Sequence, residues 1–211
     1  MYISLLKLDP RSRRAVTESS RPYELHRSLL TAFPEEAAGG PGRVLFRLDI
    51  NPDNGDMTVL VQSEKQPDWT KLNASGGFVK ECRSKEINSS LSSGQILRFR
   101  LRANPTKRSH SSGKRQGILN EEEQRDWLHK KGLQGGFEII DASVVIVNEG
   151  FAKDKLTDNN NTKHDTTMLS VRYDGLLRVV DQDSFLCTIQ EGIGSAKGFG
   201  FGLLSLAQVK E

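Results

Sequence analysis

Residues 1–90 pass from strand-like to helix-like hydrophobic spacing and back. The opening segment MYISLLKLD alternates apolar and polar positions closely enough to predict a first strand. A helix is predicted next, with Ser19 or Ser20 as its cap. Pro22 near its first position and Pro34 as its stop agree with these bounds. Apolar residues recur every four positions along this helix and would face the core: Leu25, Leu29 and Phe33.

The next two predicted strands are joined by a turn. RVLFRLDI and MTVLVQS flank NPDNGD, in which Asn54-Gly55 is a typical hairpin signal. PDWTKLNAS then predicts a short helix, and FVKECRSKEI predicts a polar closing strand. The predicted order of this half is therefore β-α-β-β-α-β.

The second half repeats this order without close sequence similarity. QILRFRLRANP predicts a strand with one charged face. NEEEQRDWLHKKG predicts a helix that Asn120 caps, Glu123 completes as a capping box and Gly132 ends. Two strands follow, FEIIDASVVIV and TMLSVRYDGLLRVV, with a long polar loop predicted from Asn148 to Thr166. DSFLCTIQEG then predicts a helix and GLLSLAQV a last strand. The apolar residues on the buried side of that helix are Phe185, Leu186 and Ile189.

The repeated order predicts an α+β protein with two tandem ferredoxin-like (βαββαβ) domains, each built on an antiparallel sheet. A serine-rich linker from Asn88 to Gly94 predicts the boundary between them. We therefore expect an N-terminal domain of residues 1–90 and a C-terminal domain of residues 94–211.

The composition is that of an ordinary globular protein and excludes several classes. The 211 residues are 36% hydrophobic and 27% charged, with a formal net charge of +3. No segment has the order of a secretory signal or approaches the roughly 20 apolar residues of a membrane span, so we expect a cytoplasmic protein. Cys82 and Cys187 form no CxxC pair and predict neither a zinc site nor a disulfide. The histidines lack the spacing of a metal site, so no bound metal is expected: His26, His110, His129 and His164.

The segment GIGSAKGFGFGLLSL carries five glycines within eleven residues, after a predicted helix and before a predicted strand. A dinucleotide fingerprint requires the opposite order, and a Walker loop requires Ser or Thr after the lysine, so both nucleotide motifs are excluded. The loop would instead present backbone N–H groups and one lysine to an anion, and extended single-stranded nucleic acid is the natural ligand. The alternative is a turn in which glycine only permits tight packing. The predicted contacts are Gly194, Lys197, Gly198 and Gly200.

Residues 98–115, RFRLRANPTKRSHSSGKR, contain seven basic residues and no acid. Alternating arginines are often only the solvated face of a strand. Seven basic residues in a chain of nearly balanced charge favour a surface that follows the phosphates of RNA or DNA. The first three share one face of the predicted strand and the others follow in the next loop: Arg98, Arg100, Arg102, Lys107, Arg108, Lys114 and Arg115.

Tyr23 and His26 lie three residues apart on the first predicted helix, so their side chains would be neighbours away from the apolar stripe. Most histidines on helices are surface or packing residues, and that alternative stays open. RNA cleavage without a metal requires that the 2′-OH lose a proton, the 5′-oxygen gain one and the charged phosphorane be stabilised. A histidine suits either proton transfer, and a tyrosine can orient it. Arg27 or Lys197 would supply the positive charge.

Three motifs in this order, PYELHRSLL, LRFRLRANPTKR and GIGSAKGFGFGLLSL, resemble the CasE family. These proteins are the CRISPR RNA-processing endoribonucleases of the type I-E Cascade complex, within the RAMP superfamily. The similarity covers the chain from MYISLLKLDP to LLSLA, and the combination of three motifs is specific. The resemblance implies two tandem ferredoxin-like domains, in agreement with the predicted order of elements.

The resemblance also implies metal-independent cleavage of the CRISPR repeat stem-loop at the base of its stem. The reaction would need no cofactor and would leave a 2′,3′-cyclic phosphate and a 5′-OH. The protein would stay on the product hairpin and join the other Cascade subunits. We expect it to be a monomer outside that complex. His26 matches the family's catalytic histidine, and Tyr23 matches the aromatic residue that accompanies it in some members. The glycine segment matches the part that lies against RNA, as RLRANP matches the family's basic strand, and the loop from Lys107 to Arg115 is placed near the hairpin by inference.

Two other functions are compatible with parts of the sequence. A non-catalytic RNA-binding RAMP scaffold would keep the glycine segment and the basic stretch but would need no histidine beside Tyr23. A nucleotide-binding regulatory domain is a further alternative, which protection by ATP or GTP against thermal unfolding would support.

Overall fold

The residues of the protein group into two compact units in the computed structural model. Unit 1 comprises Met1–Ser89 together with Lys197–Gly200, and unit 2 comprises Ser90–Ala196 together with Phe201–Glu211. The ranges that the structure describes are 1–35, 39–74, 76–88, 90–109, 113–157 and 163–209. Outside them lie Ser89 of the predicted linker, His110, residues 158–162 of the predicted polar loop and the side chain of His164.

The described part of unit 1 contains four strands and two α-helices. In chain order they are β1 (Tyr2–Leu8), α1 (Arg13–Ser19), α2 (Pro22–Leu30), β2 (Val44–Ile50), β3 (Met57–Ser63) and β4 (Val79–Glu86). A short 3-10 helix at Trp69–Asn73 precedes β4, where the sequence predicts a short helix. The strands pair antiparallel in the order β2-β3-β1-β4.

One face of this sheet carries the core of unit 1. The three apolar residues predicted to face the core are buried: Leu25 and Leu29 of α2 are 0% exposed and Phe33 is 3% exposed. The helix ends at Leu30 rather than at Pro34, so Phe33 lies beyond it. The three buried residues share one cluster with Leu6 of β1 and Val59 of β3. Each fully buried side chain of this kind stabilises the fold by about 1.5–3 kcal/mol. The stripe therefore anchors α2 and leaves the rest of its circumference for polar side chains.

A helix that the sequence analysis missed, α1, precedes α2 and changes the way it begins. Ser12 caps α1 by accepting a hydrogen bond from a backbone N–H of its first turn. Ser19 and Ser20 were predicted to cap α2, and this prediction is wrong. Their hydroxyls donate instead to carbonyl oxygens in the last turn of α1. Arg21 takes the N-cap position of α2, and Pro22 begins the helix as predicted.

The described part of unit 2 is built on a five-stranded antiparallel sheet. Its strands and helices in chain order are β5 (Ile96–Ala103), β6 (Thr106–Arg108), β7 (Arg115–Gly117), α3 (Glu121–Gln134), β8 (Phe137–Ile139), β9 (Val145–Thr157), β10 (Lys163–Val179), α4 (Gln182–Glu191) and β11 (Leu204–Gln208). The sheet order is β11-β5-β10-β8, and β9 also pairs with β10. β6 and β7 form a small hairpin of their own, which the sequence analysis did not predict.

The polar segment from Asn148 to Thr166, predicted as a loop, is mostly strand. β9 runs to Thr157 and β10 begins at Lys163, and the two strands pair antiparallel from Lys163 opposite Thr157 to Asp174 opposite Val145. The prediction was wrong because it relied on hydrophobic alternation, whereas backbone pairing with one neighbour requires no buried apolar face. FEIIDASVVIV, predicted as one strand, is likewise divided into β8, a 3-10 helix at Asp141–Ser143 and β9.

Helix α3 begins as predicted but does not end at Gly132. The side chain of Asn120 accepts a hydrogen bond from the backbone N–H of Glu123 and caps the helix. The helix continues through Gly132 to Gln134. A Cβ at position 132 would lie 2.7 Å from the carbonyl oxygen of Phe137, so close packing rather than termination requires glycine there.

The described helices of both units are short. The longest of them, α3, has 14 residues. None of the described helices combines the length with the apolar character that a membrane crossing requires.

Candidate functional site

Helix α2 presents the predicted pair, Tyr23 and His26, on unit 1. Pro22 at its first position has a φ angle already fixed near the helical value, so the helix starts immediately before Tyr23. Because Leu25 and Leu29 point into the core, positions 23 and 26 lie one turn apart beside that stripe. Both side chains are partly buried.

The imidazole of His26 is stacked on a buried aromatic ring. Its centroid lies 5.7 Å from that of Phe46 in β2, with 14° between the two ring planes. Burial lowers the pKa of His26 below its ordinary value of 6.5, since removing water disfavours the charged imidazolium. Near neutral pH the imidazole is therefore mostly uncharged, and one of its ring nitrogens is able to accept a proton.

The glycine-rich segment contributes a short 3-10 helix, Lys197–Phe199, to the same unit. Gly198 lies against His26, because a Cβ at this glycine would be 3.4 Å from Nδ1 of the imidazole. Phe199 stacks on Tyr23, with ring centroids 5.6 Å apart and 30° between the planes. Two consecutive residues of the segment therefore each contact one of the two candidate catalytic side chains.

Gly200 follows this short helix in a conformation that favours glycine. Its φ is +82°, and a Cβ would lie 3.2 Å from the ring of Phe46. Ala196, which precedes the short helix in the chain, also has a positive φ of +62°. This conformation costs on the order of 1 kcal/mol for a residue with a Cβ, and such strain is concentrated at functional sites. Gly194 belongs to unit 2, where a Cβ would lie 3.2 Å from the ring of Trp127.

Positive charge accompanies the two candidate catalytic side chains in unit 1. Lys197 begins the short helix that contacts His26. Arg27 follows His26 on α2, and its guanidinium is 3.3 Å from Glu24 in a solvent-exposed ion pair. Such exposed pairs contribute about 0–1 kcal/mol, so this one leaves Arg27 able to bind a phosphate. In metal-free cleavage of an RNA phosphodiester, an imidazole can transfer a proton and cations can stabilise the developing charge, while a phenol can orient the imidazole.

The predicted site residues are thus divided between the two units. Unit 1 brings together one cluster on α2 and on the segment that packs against it: Tyr23, His26, Arg27, Lys197, Gly198 and Gly200. The remaining predicted residues belong to unit 2: Arg98, Arg100, Arg102, Lys107, Arg108, Lys114, Arg115 and Gly194.

Two arginines of β5 are held by carboxylates from two other strands, β10 and β9. The pairing of β5 with β10 places Asp174 opposite Arg100, and the Arg100 Nε donates to Oδ1 of this carboxylate at 2.5 Å. Arg102 donates two hydrogen bonds to Glu149 of β9, at 2.6 and 3.0 Å. The sequence around these arginines contains no acid, but the sheet supplies one to each.

The other basic residues of this stretch lie in and around the small hairpin. Lys107 donates to Glu123 of α3 at 2.6 Å. Arg108 of β6 lies directly opposite Arg115 of β7, and the hairpin therefore concentrates charge. Among the described residues, no carboxylate is paired with Arg98, Arg108 or Arg115. Apart from Arg100 and Lys107, the exposed basic residues of the stretch are Arg98, Arg108, Lys114 and Arg115.

The ion pair of Arg102 with Glu149 makes the stability of the fold depend on pH. Burial raises the pKa of Glu149, but the hydrogen bonds and charge of Arg102, the hydrogen bond of Ser170 and the charge of Arg172 together outweigh it, so the pKa is below its usual 4.5. The pair therefore stabilises the fold above the unfolded pKa, and this stability is lost as pH falls through the folded pKa. We expect Arg102→Gln to lower the free energy of unfolding by about 1.5–3 kcal/mol at pH 7. The difference from wild type should shrink below about pH 4.5.

Urea unfolding of wild type and Arg102→Gln at a series of pH values between 7 and 3 measures this difference. Arg98→Gln is the matched control on the same face of β5, and it should change the free energy of unfolding by less than about 0.5 kcal/mol. Equal losses in both variants, or a loss in Arg102→Gln that pH does not alter, would contradict the assignment.

Phe46 and Phe199 are the members of the cluster that the sequence analysis did not predict. Phe46 fits the alternation of an ordinary buried strand, and its position beneath His26 depends on folding. Phe199 lies within the glycine segment, and its aromatic ring was the one feature of the sequence that could have indicated a stacking contact. Among the residues that the structure describes, no group of three or more His, Cys, Asp or Glu side chains could hold a metal ion.

Known proteins are similar to this chain over nearly its full length. A family model described as "CRISPR associated protein" matches residues 1–208. The chain is 34% identical over 212 residues to "CRISPR-associated endoribonuclease Cse3" of Thermus thermophilus, a match that covers 98% of this chain and 100% of the relative. It is 30% identical over 196 residues to "CRISPR system Cascade subunit CasE" of Escherichia coli, with 88% and 91% covered. The structure "CRISPR endoribonuclease Cse3 bound to 19 nt RNA" matches with a TM-score of 0.88 and 34% identity, covering 98% of this chain and 100% of that chain.

Proposed function

The chain belongs to this family of CRISPR-associated proteins, and from that membership we propose that it is an endoribonuclease that cleaves the stem-loops of CRISPR repeats in precursor RNA. The names of two relatives support the activity and the assembly, since one is an endoribonuclease and the other a Cascade subunit. A third match, a similar protein with bound RNA, supports the ligand. In this proposal the protein keeps its product hairpin, acts in the cytoplasm with the other Cascade subunits and is a monomer outside that complex.

The observation that carries the catalytic part of the proposal is the environment of His26. Its imidazole is partly buried with a lowered pKa, so it is largely neutral at physiological pH and ready to move a proton. Tyr23 lies one helical turn away, and the segment that begins with Lys197 packs against both rings. A histidine with a packing role alone would not require a phenol and a cation-bearing loop beside it.

His26 transfers a proton in the proposed reaction. The 2′-oxygen loses its proton and attacks the adjacent phosphorus, the bond between phosphorus and the 5′-oxygen breaks, and the 5′-oxygen gains a proton. The products are a 2′,3′-cyclic phosphate and a 5′-OH, and no metal ion is required for this balance. His26 acts as the general base or the general acid, and Tyr23 orients it or the sugar. Arg27 and Lys197 stabilise the negative charge of the phosphorane.

For the basic stretch of unit 2 we propose two roles. Arg98, Arg108, Lys114 and Arg115 contact the phosphates of the hairpin, because they are exposed. Lys107 has a partner, Glu123, but this ion pair is solvent-exposed, so a phosphate can easily replace the carboxylate. We therefore propose that Lys107 also contacts the hairpin. Arg100 and Arg102 mainly hold the sheet through their carboxylates and contribute less to RNA binding. The backbone of Gly194, Gly198 and Gly200 completes the proposed RNA contacts.

We propose further that residues 1–90 and 94–211 each form a ferredoxin-like β-α-β-β-α-β domain, although Lys197–Gly200 groups with unit 1. What supports this is the order of the strands, β2-β3-β1-β4 in unit 1 and β11-β5-β10-β8 in unit 2. In each sheet the first and third strands of the repeat lie at the centre and the second and fourth at the edges. In unit 1 the 3-10 helix at Trp69–Asn73 takes the place of the second helix.

A cleavage assay on the repeat hairpin from the same genome tests the proposed function. The RNA is labelled at its 5′ end, EDTA is in excess, and a second substrate carries a 2′-deoxy sugar at the scissile nucleotide. We expect the wild-type protein to cut the first substrate, to leave a cyclic phosphate and to bind but not cut the second. Tight binding of both without cleavage would replace the proposal by the scaffold function, and cleavage that EDTA abolishes would overturn the metal-free mechanism.

A further inference from the structure

We propose that Phe46 and Phe199 are positioning residues of this site, which hold His26 and Tyr23 in the orientation for cleavage by stacking on their rings. The inference rests on the endoribonuclease function proposed above and assigns to it two residues without any titratable group. Neither ring would touch the reacting atoms. Each would act only through the side chain on which it is stacked.

Phe46 is a rigid platform for the imidazole of His26. It is 1% exposed and lies opposite Val61 in the pairing of β2 with β3, so it cannot shift without disturbing the core. The 14° between the ring planes is close to parallel. The χ2 torsion of a histidine is broad, and a flat surface at this distance restricts its rotation. The direction in which the ring nitrogens point is therefore set by β2 as well as by α2.

Phe199 holds Tyr23 in a corresponding way from the glycine-rich segment. Three successive residues of that segment contact three side chains of the cluster: Gly198 meets His26, Phe199 meets Tyr23 and Gly200 meets Phe46. The backbone N–H of Gly200 also donates to the carbonyl oxygen of Lys197, which closes the turn. The position of the Phe199 ring is thus fixed by the glycines on both sides of it. The glycine at position 200 has a geometric explanation here, because its φ of +82° favours glycine and a Cβ would lie only 3.2 Å from the ring of Phe46, whereas a Cβ at position 198 would make an ordinary contact with His26.

A positioning role differs from a packing role in how it depends on the partner. A side chain that only packs contributes to stability whether or not the partner is present. A side chain that positions its partner affects the reaction rate only while that partner is there, so the two substitutions are not additive. Misplacement of a reacting group by about 1 Å costs up to about 10²-fold in rate, which leaves a measurable range for this effect.

The test for Phe199 is a double-mutant cycle with Tyr23 in single-turnover cleavage of the repeat hairpin. We expect Phe199→Leu to slow cleavage by about 10-fold, with hairpin affinity within about 2-fold of wild type. Phe199→Tyr keeps the ring and should keep the rate within about 2-fold. In the Tyr23→Ala background, Phe199→Leu should add less than about a further 2-fold. The same loss in both backgrounds, or no loss in either, would overturn the positioning role.

The test for Phe46 is the pH profile of cleavage together with the titration of the His26 imidazole followed by NMR. Phe46→Leu keeps an apolar side chain in the core but removes the flat surface. We expect it to slow cleavage at saturating protein and to move both the pH profile and the imidazole titration up towards the ordinary 6.5. A wild-type rate and titration in Phe46→Leu would contradict the role. If this variant does not fold, the double-mutant cycle at the partly exposed Phe199 still tests the proposal.

The outcomes separate this inference from the proposed function. Absence of cleavage by the wild-type protein would overturn both. Cleavage by the wild-type protein that Phe199→Leu and Phe46→Leu leave unchanged would overturn the positioning roles alone. Slower cleavage with rescue by Phe199→Tyr would support both together.

Discussion

His26→Ala should cleave the repeat hairpin at least about 10²-fold more slowly than the wild-type protein, with hairpin affinity within a few-fold. A well-placed general acid or base contributes about 10²- to 10⁴-fold to a rate, and alanine removes that contribution completely. Affinity should change little, because the imidazole is partly buried, mostly uncharged and small in comparison with the proposed phosphate contacts of unit 2. Single-turnover kinetics and equilibrium binding on the same labelled RNA measure the two quantities.

The matched control for this experiment is His129→Ala. His129 also lies on a helix, α3, and its Nε2 is 2.7 Å from Oδ1 of Asp141 in unit 2. Its replacement should leave the cleavage rate within about 2-fold, since it has no proposed part in the reaction. A collapse of hairpin binding in His26→Ala would instead make His26 a binding or structural residue. A rate close to that of wild type would remove it from the mechanism.

Much of the fold follows from local sequence signals because those signals act within a few residues. The stripe of Leu25, Leu29 and Phe33, the cap at Asn120 and the alternation of β5 are all properties of short segments. The predictions failed where distant contacts decide the structure. Glycine is typical of a helix end, but Gly132 lies inside α3. Its presence there is explained by the carbonyl oxygen of Phe137, which packs against it and leaves no room for a Cβ. The polar ribbon at the end of β9 and the start of β10 forms because two segments pair, not because residues 148–157 or 163–166 have a strand-like pattern.

The candidate site shows the same division. Tyr23 and His26 were predictable as neighbours because three residues on a helix are nearly one turn. The rings under them come from β2 and from near the end of the chain, and no spacing in the sequence connects these with α2. For the basic stretch, the sequence predicted more available charge than the folded protein has. Its lack of acids suggested seven available charges, but Asp174 and Glu149 arrive from other strands and pair with two of them.

The salt dependence of binding should distinguish the exposed arginines from the paired ones. Replacing Arg98, Arg108 and Arg115 together by Gln should weaken hairpin affinity by about 10- to 10²-fold near physiological salt, since each exposed charge contact contributes up to about 1 kcal/mol. The magnitude of the slope of log affinity against log salt should fall by about 2–3, because each phosphate contact that is lost no longer releases a counterion on binding. The rate of cleavage at saturating protein should stay within a few-fold, because these residues lie outside the cluster of unit 1. Binding is measured between about 50 and 200 mM salt.

Arg100→Gln with Arg102→Gln is the control in which two arginines are removed from the same stretch. Their guanidiniums already have carboxylate partners, so RNA must displace Asp174 or Glu149 before it gains a contact. We expect the slope to fall by less than about 1 in this variant, while its thermal stability falls because two partly buried carboxylates each lose one arginine partner. A slope that falls more in this variant than in the exposed set would contradict the division. In that case the hairpin would bind across the charged face of β5, and the ion pairs seen there would exchange for phosphates on binding.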